Sequence, residues 1–325
     1  MKIISFNSYK GGACRTTTCF NTVPYLAKVL GATKEKPLLI VDLDLDSMGM
    51  TKLIADGKIC SKSKFDNSFS ANRLFDASHP MSKKVQTGEI LEDYGADYFS
   101  AWAKAGEAFG LEEGSVLFLG SDAYAKTITE EAFESMKNSS PLGDLITMLD
   151  YFPDENKPVG IIFDCAAGMQ KTTQMALTYV DTSVVCMRPT EQFRRGTSQY
   201  LSVSYPKIFA MRNGGDGARN VILLPTSVAP ISAGKETETY KKVNRLRDRA
   251  FEDIEDIVNY LMEERSFKVN ASMVDSEEEG NMGIPEVERL KWKEDVPLVM
   301  LPDPTPDEKA ALGRYEKLSS VIAGA

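Results

Sequence analysis

The sequence predicts an α/β protein: a mostly parallel, twisted sheet with helices on both faces. Two observations carry this expectation. Short runs rich in Ile, Val, Leu and Phe recur with almost no alternating polar residues, the pattern of strands buried on both faces. Stretches with helical spacing separate them, and strand–helix–strand alternation argues for a parallel sheet. A chain of 325 residues can bury a sizeable core. No Pro- or Ser-rich linker divides it, so residues 1–325 are expected to form a single domain.

In chain order the predicted strands are residues 2–6, 38–43, 116–120, 159–164, 183–187, 220–224 and 297–301. Residues 18–30 predict a helix, with Phe20, Val23, Tyr25, Leu26 and Leu30 mostly on one side and Gly31 as its stop. Pro24 within it marks a shifted start or a kink. Residues 55–115 are polar and weakly patterned, and short helices and loops are expected there. Residues 241–267 read as an amphipathic helix, with Val243, Leu246, Ala250, Ile254, Ile257 and Leu261 on one face. Residues 307–325 align Leu312, Tyr315, Leu318 and Ile322, a modest apolar face expected to pack in the core rather than on a membrane.

Composition narrows the function. A net charge of −9, from 38 basic against 47 acidic residues, excludes a surface that grips nucleic acid throughout, but leaves room for a local basic patch. A single His leaves little material for a His-based metal site or a Ser-His-Asp triad. No apolar run approaches the ~20 residues that span a bilayer. The opening residues 1–6 are too short an apolar stretch for a signal peptide. Five cysteines without CxxC spacing fit a reducing compartment, so a cytoplasmic location is expected.

The first strand runs into Ser8-Tyr9-Lys10-Gly11-Gly12-Ala13-Cys14-Arg15-Thr16-Thr17-Thr18, where a helix begins. A strand, a glycine turn and a helix N-terminus make an anion site, because backbone N–H groups converge there and the helix dipole adds positive potential. A basic side chain followed by a hydroxyl, here Arg15 and Thr16, can neutralise phosphate and hold Mg²⁺. The plainer reading is an ordinary βα turn that needs two glycines.

This segment resembles the deviant Walker A motif, KGGxGK[ST], of the ParA/MinD P-loop ATPases. Lys10, Gly11, Gly12 and Thr16 match; Cys14 stands where the family has Gly, and Arg15 where it has Lys. Two further segments follow in the family's order. Residues 38–44, ending Asp42-Leu43-Asp44, resemble its second strand, and residues 160–168, with Asp164, resemble its Walker B strand. The resemblance implies a P-loop NTPase fold that binds ATP and Mg²⁺. Residues Gly11, Gly12, Ala13, Cys14, Arg15, Thr16 and Thr17 would cradle the phosphates, and the adenine would lie near Pro225 and Thr226. Thr16, Asp42 and Asp164 would serve the Mg²⁺ shell, and Asp44 would position the attacking water. Lys10 would reach across a dimer interface to the phosphates of a second copy.

The resemblance also implies an ATP-hydrolysing switch that dimerises with ATP and, with an activator or cargo protein, positions a cargo. DNA is one candidate partner, through Lys241, Lys242, Arg245, Arg247 and Arg249. No membrane contact is expected. The alternative is a degenerate nucleotide-binding scaffold with little turnover, suggested by Cys14 and Arg15. Cys14 and Cys165 are expected to face one crevice, as an oxidisable pair or as small, packed, reduced residues.

Overall fold

The computed structural model describes residues 1–56, 70–76, 82–83, 85, 100–101, 111–122, 140–209, 220–228, 237–238, 240–242, 268–270, 283–292 and 297–324, and the single positions 245, 249, 252, 256 and 259. Among the described residues nine strands form the sheet: β1 (Lys2–Asn7), β2 (Leu38–Leu43), β3 (Ser100–Ala101), β4 (Val116–Leu119), β5 (Gly160–Cys165), β6 (Thr182–Met187), β7 (Asn220–Val228), β8 (Lys268–Asn270) and β9 (Ile284–Pro285). Their order is β3-β4-β2-β5-β1-β6-β7-β8, and β9 pairs with the far end of β7. From β4 to β8 every neighbouring pair is parallel; β3 alone runs antiparallel, at the edge. The expected fold class is observed.

Alternation along each strand sends side chains to two cores. On one face Ile4, Phe6, Ile40, Ile162, Val184 and Ile222 pack with helix α1 (Arg15–Val29) and a C-terminal helix, Pro306–Ala323. On the other, Ile3, Leu39, Val41, Ile161, Phe163 and Val185 pack with α4 (Pro141–Asp150) and α5 (Lys171–Tyr179), the helices that follow α2 (Gly49–Asp56) and α3 (Ala71–Leu74). The connection after β1 runs to β2 on one side of it, while that after β5 crosses to β6 on the other. Such divergence opens a crevice above the C-terminal strand ends.

Helix α1 starts at Arg15, three residues earlier than its apolar spacing suggests, and Pro24 stays inside it. The C-terminal helix has a full capping box. Thr305 Oγ1 accepts from Glu308 N–H, and Glu308 accepts from Thr305 N–H at 2.7 Å. It buries Ala311, Tyr315, Leu318 and Ile322 against the sheet and α1, as a core helix does, while Leu312 is half-buried.

One predicted strand is corrected. Residues 297–301 form a 3₁₀ turn, Leu298–Met300. The Leu298 N–H donates to Asn21 Oδ1 on α1 at 2.6 Å, so a side chain takes the amide that a ladder would need. The short strands β3, β8 and β9 carry too few residues to show a period. In the amphipathic segment, Lys242, Arg245, Arg249, Glu252 and Asp256 are helical and exposed, and Lys241 is helical and half-buried. Arg247 and the apolar face expected there lie outside the described residues, as does most of 55–115.

Candidate functional site

The site forms where β1, β2 and β5 end. After Asn7 the chain turns through Gly11 and Gly12, and Gly12 adopts φ +84°. A Cβ at either glycine would meet nothing within 4 Å, so the loop faces open space. Cys14 precedes α1 with φ 51° and ψ 27°, in the left-handed region. A glycine takes that conformation without strain, whereas a side chain there costs about 1–2 kcal/mol. The Cys14 carbonyl still accepts the first helical bond, from Thr18 N–H at 2.9 Å.

Arg15, the first residue of α1, folds inward and is 7% exposed. Its Nε donates to Asp164 Oδ1 at 2.9 Å. Its Nη2 donates to Asp44 Oδ2 at 2.8 Å and to Thr16 Oγ1 at 3.0 Å. One guanidinium therefore bridges the ends of β2 and β5, which its planar fork can do and a lysine ammonium cannot do in the same way. Burial opposes the Arg15 charge, but the carboxylates of Asp164 and Asp44 outweigh it and raise its pKa. Burial likewise works to raise Asp44, yet hydrogen bonds from Ser47 and Arg15, with the Arg15 charge, hold it below the ordinary carboxylate range. Asp164 is pushed up by complete burial, against the pull of Arg15. Its Oδ2 is buried with no hydrogen-bond partner among the described residues.

Asp42 lies beside Asp164 in the β2/β5 register and is fully buried. It accepts from Thr51 N–H at 2.9 Å, Thr51 Oγ1–H at 2.7 Å and Asp44 N–H at 3.1 Å. Burial first, and then the charge of Asp164, push its pKa up to about 7. Asp42 thus fastens α2 to the end of β2, and Thr16 lies against the start of that helix at Gly49.

The structure brings Arg15, Thr16, Asp44 and Asp164 together. Lys10 is exposed and makes no ion pair among the described residues. Thr226 is buried, its hydroxyl 2.8 Å from the Ala13 carbonyl and 3.1 Å from that of Met187. It borders a cavity of about 200 Å³ beside the loop, lined also by Cys14, Thr17 and Thr18. Pro225 does not line it. Sequence reasoning missed Arg188, Ser227 and Glu286 on its wall. Arg188 directly follows β6, whose end was legible, whereas β7 runs past its predicted end at residue 224 and takes in Ser227. Glu286 arrives through the pairing of β9 with β7, which no local pattern signals. Cys14 Sγ lies 3.2 Å from Ser227 Oγ, whereas Cys165 is buried with its Sγ toward the Phe163 carbonyl. Both are free thiols, and burial pushes the Cys165 pKa up.

The residues fit phosphate and Mg²⁺. The loop is open at Gly11 and Gly12, a helix N-terminus and a cation stand beneath it, and a buried carboxylate oxygen lacks a hydrogen-bond partner among the described residues.

Neither a family model nor a curated protein sequence matches the chain. Solved structures do. The pNOB8 ParA protein superposes with a TM-score of 0.64 at 15% identity, covering 99% of this chain and 98% of that one. A Cyanothece McdA–ATP complex gives 0.56 at 13%, covering 100% and 96%. The MinC:MinD complex of Aquifex aeolicus gives 0.55 at 15%, covering 98% and 96%. The chain therefore has the fold of the ParA/MinD-type P-loop ATPases.

Proposed function

We propose that the chain is an ATP-binding, ATP-hydrolysing switch of the ParA/MinD type, whose ATP-bound form pairs with a second copy to position a cargo. One observation carries this reading: Arg15, Thr16, Asp44 and Asp164 converge at the N-terminus of α1, beneath an open glycine loop. Phosphoryl transfer needs positioning and charge neutralisation more than covalent help. Backbone N–H groups from Gly11 to Thr17 would hold the phosphates, with Arg15 turning from its carboxylates toward them. Asp44, so released, would orient the attacking water. Thr16 and Asp164 would hold the Mg²⁺ shell, with Asp42 bracing β2 behind them. Mg²⁺, when bound, supplies neutralisation of the phosphate charge. The cavity bordered by Thr226 would take the adenine. Lys10 would contact the phosphates of the second copy.

Among the solved structures with this fold are MinD in complex with MinC and ParA bound to nonspecific DNA. A protein activator or cargo is accordingly proposed here, and DNA contact through Lys241, Lys242, Arg245, Arg247 and Arg249. No described helix is long and apolar enough to cross a membrane. Five cysteines without CxxC spacing support a cytoplasmic location.

The test is the sedimentation mass with Mg-ATP and with Mg-ADP. A dimer with ATP and a monomer with ADP is the expected result; equal masses overturn the switch. The second reading, a scaffold with little turnover, is favoured by the same guanidinium, which is engaged with two carboxylates. Equal masses together with no phosphate release would select it.

A further inference from the structure

Tyr9 stands one residue before Lys10, and its ring turns away from the loop onto the helix Glu191–Gln199. The ring lies over Gly196 so closely that a methyl group at that position would overlap it. It also meets Tyr200 edge-on, with ring centres 6.4 Å apart and planes at 62°. Glycine is an unfavourable residue inside a helix. Here its missing side chain is the seat of an aromatic ring.

The seat is itself braced. A π-helical turn, Tyr200–Ser204, follows the helix, and Tyr205 N–H donates to the Tyr200 carbonyl. On an α-helix residues five apart point ~140° apart; an i→i+5 turn brings them to one face. The Tyr200 and Tyr205 rings are 5.1 Å apart, and their hydroxyls lie 3.4 and 2.8 Å from Asn7 Oδ1, at the end of β1. Asn7 Nδ2 in turn donates to Ser183 Oγ at 2.7 Å. The main chain on either side of Tyr9 is pinned as well. Gly168 N–H donates to the Ser8 carbonyl at 2.8 Å, and Ser8 Oγ–H to the Lys10 carbonyl at 3.1 Å.

We infer that Tyr9 is a positioning residue: its ring, seated on Gly196 and against Tyr200, fixes the course of the loop at Lys10 and so aims the Lys10 ammonium away from its own site. A ring used only to fill the core would be covered; Tyr9 is 38% exposed and touches its seat on one side. The inference rests on the cross-subunit role of Lys10 proposed above, and its test separates the two.

Native full-length protein is exposed to trypsin, and cleavage after Lys10 is timed, since such cleavage follows the population of the open loop. Gly196→Ala evicts the ring and Tyr9→Ala removes it. Each should speed cleavage about tenfold, and the double variant should be no faster than either, the non-additivity of two residues in one contact. Tyr9→Phe, which keeps the ring, should cleave as the wild type does. ATP-dependent self-association should weaken about tenfold in both single variants, while Mg-ATP affinity of the monomer holds and the thermal midpoint falls by no more than a few degrees. Unchanged cleavage in Gly196→Ala, or effects that multiply in the double variant, overturns the seat. A seat supported by cleavage but without effect on association overturns the aiming of Lys10. A wild type that never associates with ATP removes the cross-subunit reading, and the cleavage series still decides the seat.

Discussion

Replacing Arg15 by Lys tests the central geometry. Arg15 donates from Nε to Asp164 and from Nη2 to Asp44 and Thr16, at 2.8–3.0 Å. A lysine brings one ammonium to the same space and keeps one carboxylate at the expense of the other. A hydrogen bond to a charged group contributes about 1.5–3 kcal/mol, so the nucleotide-free protein should lose about that much stability. The same network opposes nucleotide, because the guanidinium must leave both carboxylates to face phosphate. Each ~1.4 kcal/mol removed from that competition is tenfold in affinity, so Arg15→Lys should bind Mg-ATP about ten- to a hundredfold more tightly. Urea unfolding without nucleotide reads the first arm, and titration with a fluorescent ATP analogue and Mg²⁺ reads the second. Weaker Mg-ATP binding in a destabilised Arg15→Lys protein would refute the argument, since the guanidinium would then gain more from the phosphates than it gives up at Asp44 and Asp164. Arg15→Met is the control. It strands fully buried Asp164 and should cost about 3–5 kcal/mol.

Asp44→Ala should bind Mg-ATP and lose turnover by about 10² or more, the scale of a lost proton-transfer or water-positioning group; phosphate release and nucleotide titration check both. Lys10→Ala should weaken ATP-dependent association more than nucleotide binding by the monomer, read by sedimentation beside titration. Cys14→Gly should stabilise the protein by about 0.5–1 kcal/mol by relieving the left-handed φ, with Cys14→Ala giving no such gain, both read from urea midpoints. Asp42 carries a pKa raised from 3.8 to about 7, so its contribution is full below 3.8 and is lost as pH rises through 7. The wild type should therefore lose stability relative to Asp42→Asn between about pH 4 and pH 7, and parallel urea midpoints at both ends would show the sign.

The sheet was legible because its strands are buried on both faces and read as unbroken apolar runs: Leu38–Leu43 and Gly160–Cys165 are buried at every position. The site was legible where local chemistry suffices. Glycines, a cation and a hydroxyl at a strand–helix turn mark the loop where Arg15 and Thr16 meet Asp44 and Asp164, two carboxylates that strand ends point to. What stayed hidden depends on tertiary placement. Residues 297–301 look like a strand, yet Asn21 takes the Leu298 amide. Asp42 looks like a metal carboxylate, and only the arrival of Thr51 shows that it accepts three hydrogen bonds from protein. Tyr9 looks like a loop aromatic until Gly196, nearly two hundred residues away, supplies its seat.

The two departures in the loop act on different equilibria. The strain at Cys14 belongs to a backbone conformation that, under the proposed function, would let residues 11–17 face the phosphates. It therefore raises the free energy of the loop with or without nucleotide and leaves the balance between the two nearly unchanged. Arg15 gains its two ion pairs only while the carboxylates are free to accept them. Under the proposed function it would lower the empty state alone and shift the balance away from nucleotide. A partner that draws Asp44 or its neighbour α2 away from Arg15 would lift that bias and raise nucleotide affinity, and by linkage nucleotide would raise the partner's affinity by the same factor. Under the proposed function a lysine there, with one donor group instead of a fork, would offer less of this coupling, and Arg15 would be a phosphate ligand that its carboxylates hold until a partner releases it.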